Sequence, residues 1–361
     1  MPIEFAERIR RIPVYPVAAG YDLGDDVAML ASNETPFAPM ESVVAAATRA
    51  IAGANRYPDP SYSDLRKALS ARYGIAGGRI ALGQGSCDIL LAAGEALLEP
   101  GAEVVYAWPA FSVYPHLAAA SGATAIQVPL DGEERHDLDA IAQEVTVATR
   151  LVLICNPNNP TSTALDLDAI TAFLDRIPSH VCVILDEAYC EFALTLGDTY
   201  ASVELLRRYP NLVLLRTFSK VYGLAGLRVG YALCATEAFR VAVDQVRQPF
   251  YLSAAAQAAA VEALRWQDEV ERRVVQTIAS RESLSDDVRR LGLWVAKSDA
   301  NFIWLRLPEE IAEADVVSGL KDRGVLVRAG ASLGRENALR VTVGTDQENE
   351  RFVAALGELI R

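Results

Sequence analysis

From residue 79 onward, short apolar runs alternate with longer amphipathic stretches. Seven runs have the length and branching of buried strands: 79–82, 103–107, 124–128, 151–155, 181–185, 212–215 and 229–233. Amphipathic segments near 87–98, 112–120, 137–145, 166–176 and 201–208 separate most of them. This alternation predicts an α/β fold whose large domain holds a mostly parallel seven-stranded sheet between helices. Gly223 to Arg228 leaves little room for a crossover, so the last of these strands is expected to be antiparallel. Helices are predicted at 42–51 and 63–73. Past residue 250 the pattern changes to a long helix, roughly 253–291, then strands at 301–305, 325–328 and 339–343 with helices near 312–322 and 346–360. The predicted organisation is an arm (1–40) lying on a smaller C-terminal α/β domain (251–361), with the large domain at 41–250.

Composition narrows the class. At 361 residues and 51% apolar, the chain can bury a sizeable core. A formal charge of −13 argues against nucleic acid and anionic membranes as partners. Five cysteines without a C-x-x-C pair read as core residues in a reducing compartment. Three scattered histidines argue against a zinc site, and no metal is expected. No run approaches a membrane span, and the arginines at 8, 10 and 11 precede no apolar h-region. The expected location is the cytoplasm.

Chemistry gathers where the strands end, because ligands of open parallel sheets bind beyond their carboxyl ends. The run at 212–215 is followed by Thr217, Ser219 and Lys220, with Arg228 eight positions beyond the lysine. A lysine past a buried strand is partly desolvated, which favours the neutral, nucleophilic amine. Taken alone, such a residue is more often a surface lysine on a strand-to-helix loop. An imine-forming amine beside a phosphate site suits pyridoxal 5′-phosphate (PLP). After the first strand, Gly85, Ser86 and Cys87 open a helix and offer N–H groups to a phosphate. A dinucleotide site is the competing reading there, although G-x-G-x-x-G is incomplete. Phe111 follows the second strand and can face a flat ring, or simply pack in the core. Asn159 lies in a proline-fixed loop and can bond a phenolate oxygen. Asp186 ends a buried strand and needs a cationic or N–H partner; it is either a helix cap or the partner of a pyridinium nitrogen. The polar cluster around Asn33 is a turn or a loop reaching into a pocket.

The motifs Asn156-Pro-Asn-Asn-Pro-Thr161, Asp186-Glu-Ala-Tyr189 and Ser219-Lys-x-x-Gly-Leu-Ala-Gly-Leu-Arg228 resemble those of fold-type I PLP aminotransferases, in the histidinol-phosphate aminotransferase branch. The likeness includes Ala31 to Phe37, Tyr57-Pro-Asp-Pro60 and Leu339 to Gly344. It implies Lys220 as Schiff-base lysine, Asp186 as pyridinium partner, Asn159 and Tyr189 on the ring oxygen, and Phe111 on the ring face. It implies Thr217, Ser219, Arg228 and the 85–87 backbone on the phosphate. Tyr57 would reach the phosphate of a partner subunit, so a homodimer is implied. Arg340 would clamp the substrate carboxylate, with Arg328, Tyr15 and Asn33 as neighbours.

Two departures stand out: Pro160-Thr-Ser-Thr163 where Pro-Thr-Gly is usual, and Cys87 where an acidic residue is frequent. The first, with Leu215-Arg-Thr-Phe-Ser-Lys220, tilts the resemblance toward phenylalanine (aromatic amino acid) aminotransferases working with 2-oxoglutarate. Histidinol phosphate is the alternative donor, and a PLP decarboxylase or lyase on the same fold is a further reading.

Overall fold

The computed structural model describes residues 3–5, 9, 10, 12 and 26–360. Its strands run β1 (Ala28–Met29), β2 (Ile80–Gly83), β3 (Glu103–Trp108), β4 (Thr124–Pro129), β5 (Thr149–Cys155), β6 (Cys182–Asp186), β7 (Leu212–Thr217), β8 (Gly230–Cys234), β9 (Trp294–Val295), β10 (Phe302–Arg306), β11 (Val325–Leu326), β12 (Arg328–Ala329) and β13 (Ala338–Thr342). Seven of them form one sheet in the order β2-β8-β7-β6-β5-β3-β4. All neighbours are parallel except β8, which runs against both β2 and β7. The short link from Thr217 to Gly230, which are register partners, leaves no length for a crossover. All seven expected strands are therefore present, and the antiparallel one is β8.

The central strands are apolar because helices cover both faces. Side chains alternate accordingly. Leu212 and Leu214 join one core, with Val183 and Leu185. Val213 and Leu215 join the other, with Ile184 and Leu153. Truncating Leu214 would remove a fully buried side chain and cost roughly 2–5 kcal/mol.

The second sheet is antiparallel, in the order β12-β13-β10-β9. One face carries Ile303, Leu305, Leu339 and Val341 into a separate core with the helices Glu313–Asp322 and Asp346–Leu359. The latter helix starts at a Thr345–Glu348 capping box. The opposite face carries Trp304, Arg340 and Arg328, which lie in register across β10, β13 and β12. Strand β1 pairs in parallel with β11, tying residues 28–29 to this second unit.

The single long helix expected over 253–291 is two helices, Ala254–Ala263 and Gln267–Arg290. Trp266 leaves helical geometry at φ −103°, ψ 53°. No glycine or proline marks the break, so the apolar pattern could not reveal it. The first helix packs Ala256, Ala259 and Ala260 into the core under the large sheet. Among the described residues, no helix is long and apolar enough to cross a membrane, and no His, Cys, Asp or Glu cluster suits a metal.

Candidate active site

Strands β5, β6 and β7 end side by side: Cys155 is the register partner of Asp186, and Asp186 that of Leu215. The loops that follow therefore open on one edge of the sheet. Strand β2 runs parallel to β7, with β8 between, so its end opens on the same edge. There, Ser86, Cys87, Phe111, Asn159, Asp186, Tyr189, Thr217, Ser219, Lys220 and Arg228 line one cavity of about 540 Å³.

One end of the cavity is built for an anion. The helix Ser86–Leu97 starts there with no side-chain cap on its first N–H groups. Gly85 sits at φ +78°, and a Cβ on it would run into the Arg228 guanidinium. A Cβ on Gly230 would run into the Gly85–Ser86 backbone. The two glycines thus let the helix start, β8 and the guanidinium approach closely. Arg228 Nη1 donates to Ser219 Oγ at 3.2 Å, and Thr217 Oγ1 donates to the same oxygen at 3.0 Å. Burial pushes the Cys87 thiol up to about 11, with Arg228 working against it.

The other end holds the acid and the amine. Asp186 is 4% exposed and accepts from Tyr114 Oη at 3.1 Å and Ala188 N at 3.2 Å. Burial raises it to about 6, and these donors and Lys220 oppose the rise. Lys220 Nζ donates to the carbonyls of Asn33 (3.0 Å) and Ser32 (3.3 Å) and lies 5.5 Å from the Tyr189 ring centre. Burial lowers its pKa to about 7; Arg340 and Arg228 lower it further, and Glu34 and Asp186 act the other way. Tyr189 Oη accepts from Asn33 Nδ2 at 3.0 Å, and burial raises its pKa above the ordinary value. Arg340, on β13, donates to Asn159 Oδ1 at 2.6 Å and to the Ala31 carbonyl at 2.5 Å.

Other predicted residues sit differently. Asn33 spends its side chain on Tyr189 and Thr342 and does not line the cavity. Arg328 is buried beside Arg340 as its register partner. Tyr57 is 80% exposed, outside the cavity, and stacks on Phe250 at 4.5 Å. Tyr15 lies outside the described residues. Sequence reasoning passed over Tyr114, the donor to Asp186, and Glu34, which lines the cavity and raises the Lys220 pKa. Tyr114 opens a helix three positions after Phe111, and the two rings meet edge to face with centres 5.9 Å apart.

A model of the family described as Aminotransferase class I and II matches residues 25–356. Fold and match define a transferase of amino groups: the chain belongs to the class I and II aminotransferases. It is similar to an aromatic amino acid aminotransferase of Cutibacterium acnes, at 38% identity over 98% of this chain and 97% of that one. It is similar also to histidinol-phosphate aminotransferase 2 of Ralstonia nicotianae, at 43% identity over 95% and 92%. Among solved structures, histidinol-phosphate aminotransferase from Sinorhizobium meliloti in complex with pyridoxal-5′-phosphate matches with a TM-score of 0.88, at 31% identity over 99% of this chain and 97% of that one.

Proposed function

We propose that this aminotransferase uses PLP to move an amino group from an aromatic, phenylalanine-like amino acid to 2-oxoglutarate. The observation that carries the reading is that Lys220 and Asp186 line one cavity together with the Arg228 anion cradle. These residues fit the cofactor in three ways. A buried carboxylate held near 6 for want of a cation suits a protonated ring nitrogen. An amine lowered to about 7 suits attachment to a carbonyl carbon. An uncapped helix start beside Arg228, Ser219 and Thr217 suits a phosphate.

When bound, the cofactor supplies an electron sink for a carbanion at the substrate Cα. Lys220 would take the proton from that Cα and deliver it to the cofactor's C4′ carbon, acting as base and then acid, so that hydrolysis releases the keto acid and leaves the amino group on the cofactor for 2-oxoglutarate. Asp186 stays ionised opposite the ring nitrogen. Asn159 and Tyr189 donate to the ring oxygen; Asn159 has its carbonyl held by Arg340, so its NH₂ is the part left for a ligand. Arg340 grips the substrate carboxylate with a planar fork. Phe111 lies against the ring, and the Gly85, Ser86 and Cys87 backbone bonds the phosphate. Tyr57 completes the phosphate site of a second copy in a cytoplasmic homodimer, which its exposed, stacked position supports. Arg328, buried as the register partner of Arg340, borders the substrate. The chain divides into an arm (1–40), a cofactor domain (41–250) and a small domain (251–361), a division supported by the two separate sheets, with the helix Ala254–Ala263 packed back on the cofactor domain's core.

Similarity to named aromatic amino acid aminotransferases supports the aromatic donor. A second reading, histidinol phosphate, is favoured by the in-register Arg328–Arg340 pair, whose two guanidiniums suit a dianion. A panel of amino donors with 2-oxoglutarate separates the two, since preferred turnover of phenylalanine supports the first and of histidinol phosphate the second. Carbon dioxide release without a keto acid would favour a lyase. Lys220→Ala should lose the visible band of lysine-bound cofactor and nearly all turnover. Steady transamination by that variant would refute the assignment.

A further inference from the structure

We infer that Glu134, far from the cavity in sequence and absent from its wall, is a positioning residue that sets the distance between Asn159 and Arg340. The inference rests on the reading of Arg340 as the carboxylate clamp. Glu134 is 4% exposed and sits in left-handed backbone at φ 60° between the two units. Its backbone carbonyl accepts from Thr161 Oγ1 at 2.9 Å and Thr163 Oγ1 at 2.7 Å. That fixes it to the loop that carries Asn159. Its carboxylate reaches the second sheet, accepting from the Trp304 indole N–H and from Arg306 Nε at 2.8 Å. Trp304 is the register partner of Arg340, and opposed residues of antiparallel strands project from one face.

The contacts close a ring. Asn159 meets Arg340; the β13–β10 ladder carries Arg340 to Trp304; Trp304 meets Glu134; and Glu134 meets the Asn159 loop. Arg340 and the amide that aims it come from different sheets, so their spacing is only as firm as the bonds joining those sheets. Glu134 supplies such a bond with a buried carboxylate that also pairs with Arg306, and hydrogen bonds within an ion pair are stronger than neutral ones. Displacing a binding group by about 1 Å costs up to about a hundredfold in rate. The ring therefore bears on carboxylate binding, and the Lys220–Asp186 pair lies outside it.

The test uses holoenzyme of wild type, Glu134→Ala, Glu134→Gln, Trp304→Phe, Arg340→Lys and the Glu134→Ala/Arg340→Lys double variant. Three quantities are measured: the steady-state KM and kcat for the amino donor, and the Kd for 3-phenylpropionate, a carboxylate without the amino group. Glu134→Ala should raise KM and Kd by about tenfold. It should leave the visible cofactor band and its pH titration as in wild type. Glu134→Gln keeps an acceptor for the indole and should lose less. In the Arg340→Lys background, Glu134→Ala should add less than about twofold, because its effect runs through that arginine. Full additivity, or lowered stability with unchanged carboxylate affinity, would overturn the inference. Trp304→Phe removes the N–H together with part of a fully buried ring, so its Kd is read beside its thermal stability, and it gives the same answer should Glu134→Ala not fold. If Arg340→Lys alone leaves carboxylate affinity unchanged, the clamp reading fails and the inference falls with it. If Arg340→Lys weakens binding while Glu134→Ala and Trp304→Phe do not, the inference alone fails.

Discussion

Arg340 Nη1 lies 2.6 Å from Asn159 Oδ1, although 181 positions separate the two residues in the chain. The guanidinium comes from the small antiparallel sheet and the amide from a loop of the large one. A carboxylate bound here meets an arginine already aimed by the amide and by the Ala31 carbonyl. Pre-aimed groups lose less freedom when a ligand arrives.

Arg340→Lys keeps the charge and removes the planar fork. Steady-state kinetics should show KM for both amino donor and 2-oxo acid rising about 10- to 100-fold, with a smaller change in kcat. An unchanged KM for both would remove Arg340 from the carboxylate site.

Lys220 titrates near 7 because burial disfavours its ammonium form. In cofactor-free protein, amine-selective labelling at Lys220, followed by peptide mass spectrometry, should gain rate through about pH 7. An ordinary lysine value is 10.5. The folded value is the lower one, so the buried ammonium weakens the fold below pH 7 and the penalty disappears as pH rises toward 10.5. A labelling midpoint near 10 would contradict the burial seen here.

Asp186 behaves in the opposite sense. Its folded value, about 6, lies above the ordinary 3.8. The neutral acid therefore supports the cofactor-free fold below pH 4, and that support is lost as pH rises through 6. The loss is of the order of 3 kcal/mol. Denaturant unfolding of wild type and Asp186→Asn at pH 4 to 7 isolates it, since the asparagine variant should lack this slope. Tyr114→Phe removes a donor to the carboxylate and should shift the slope upward in pH. Identical profiles for wild type and Asp186→Asn would contradict a buried acid raised to about 6.

Ser162 stands where Pro-Thr-Gly motifs carry glycine, and its backbone is left-handed at φ 61°. It is fully buried, with Oγ donating to the Thr161 carbonyl at 2.6 Å. Glycine adopts this backbone without strain, and a β-branched residue does not. Ser162→Gly should change stability by less than about 1 kcal/mol, and Ser162→Val should cost roughly 2 kcal/mol or more. Thermal unfolding of the two variants checks the order.

The seven strands and the antiparallel β8 were legible from apolar runs and a short link, because strand period and connection length are local properties. The rule that ligands sit beyond carboxyl strand ends then predicted the 85–87 turn, Asn159, Asp186 and Lys220 at one edge. Local pattern could not report the helix break at Trp266, where neither glycine nor proline signals it. It was equally silent on Tyr114 beneath Asp186, on Asn33 turned away to Tyr189, and on Glu134 between the sheets. Such pairings depend on how two sheets, joined through long helices, come to rest on each other. That packing sums many weak contacts between distant segments, and no window of neighbouring residues carries it. The chain's own pattern thus settled which residues reach the working edge. Only the docking of the second sheet decided which of them touch.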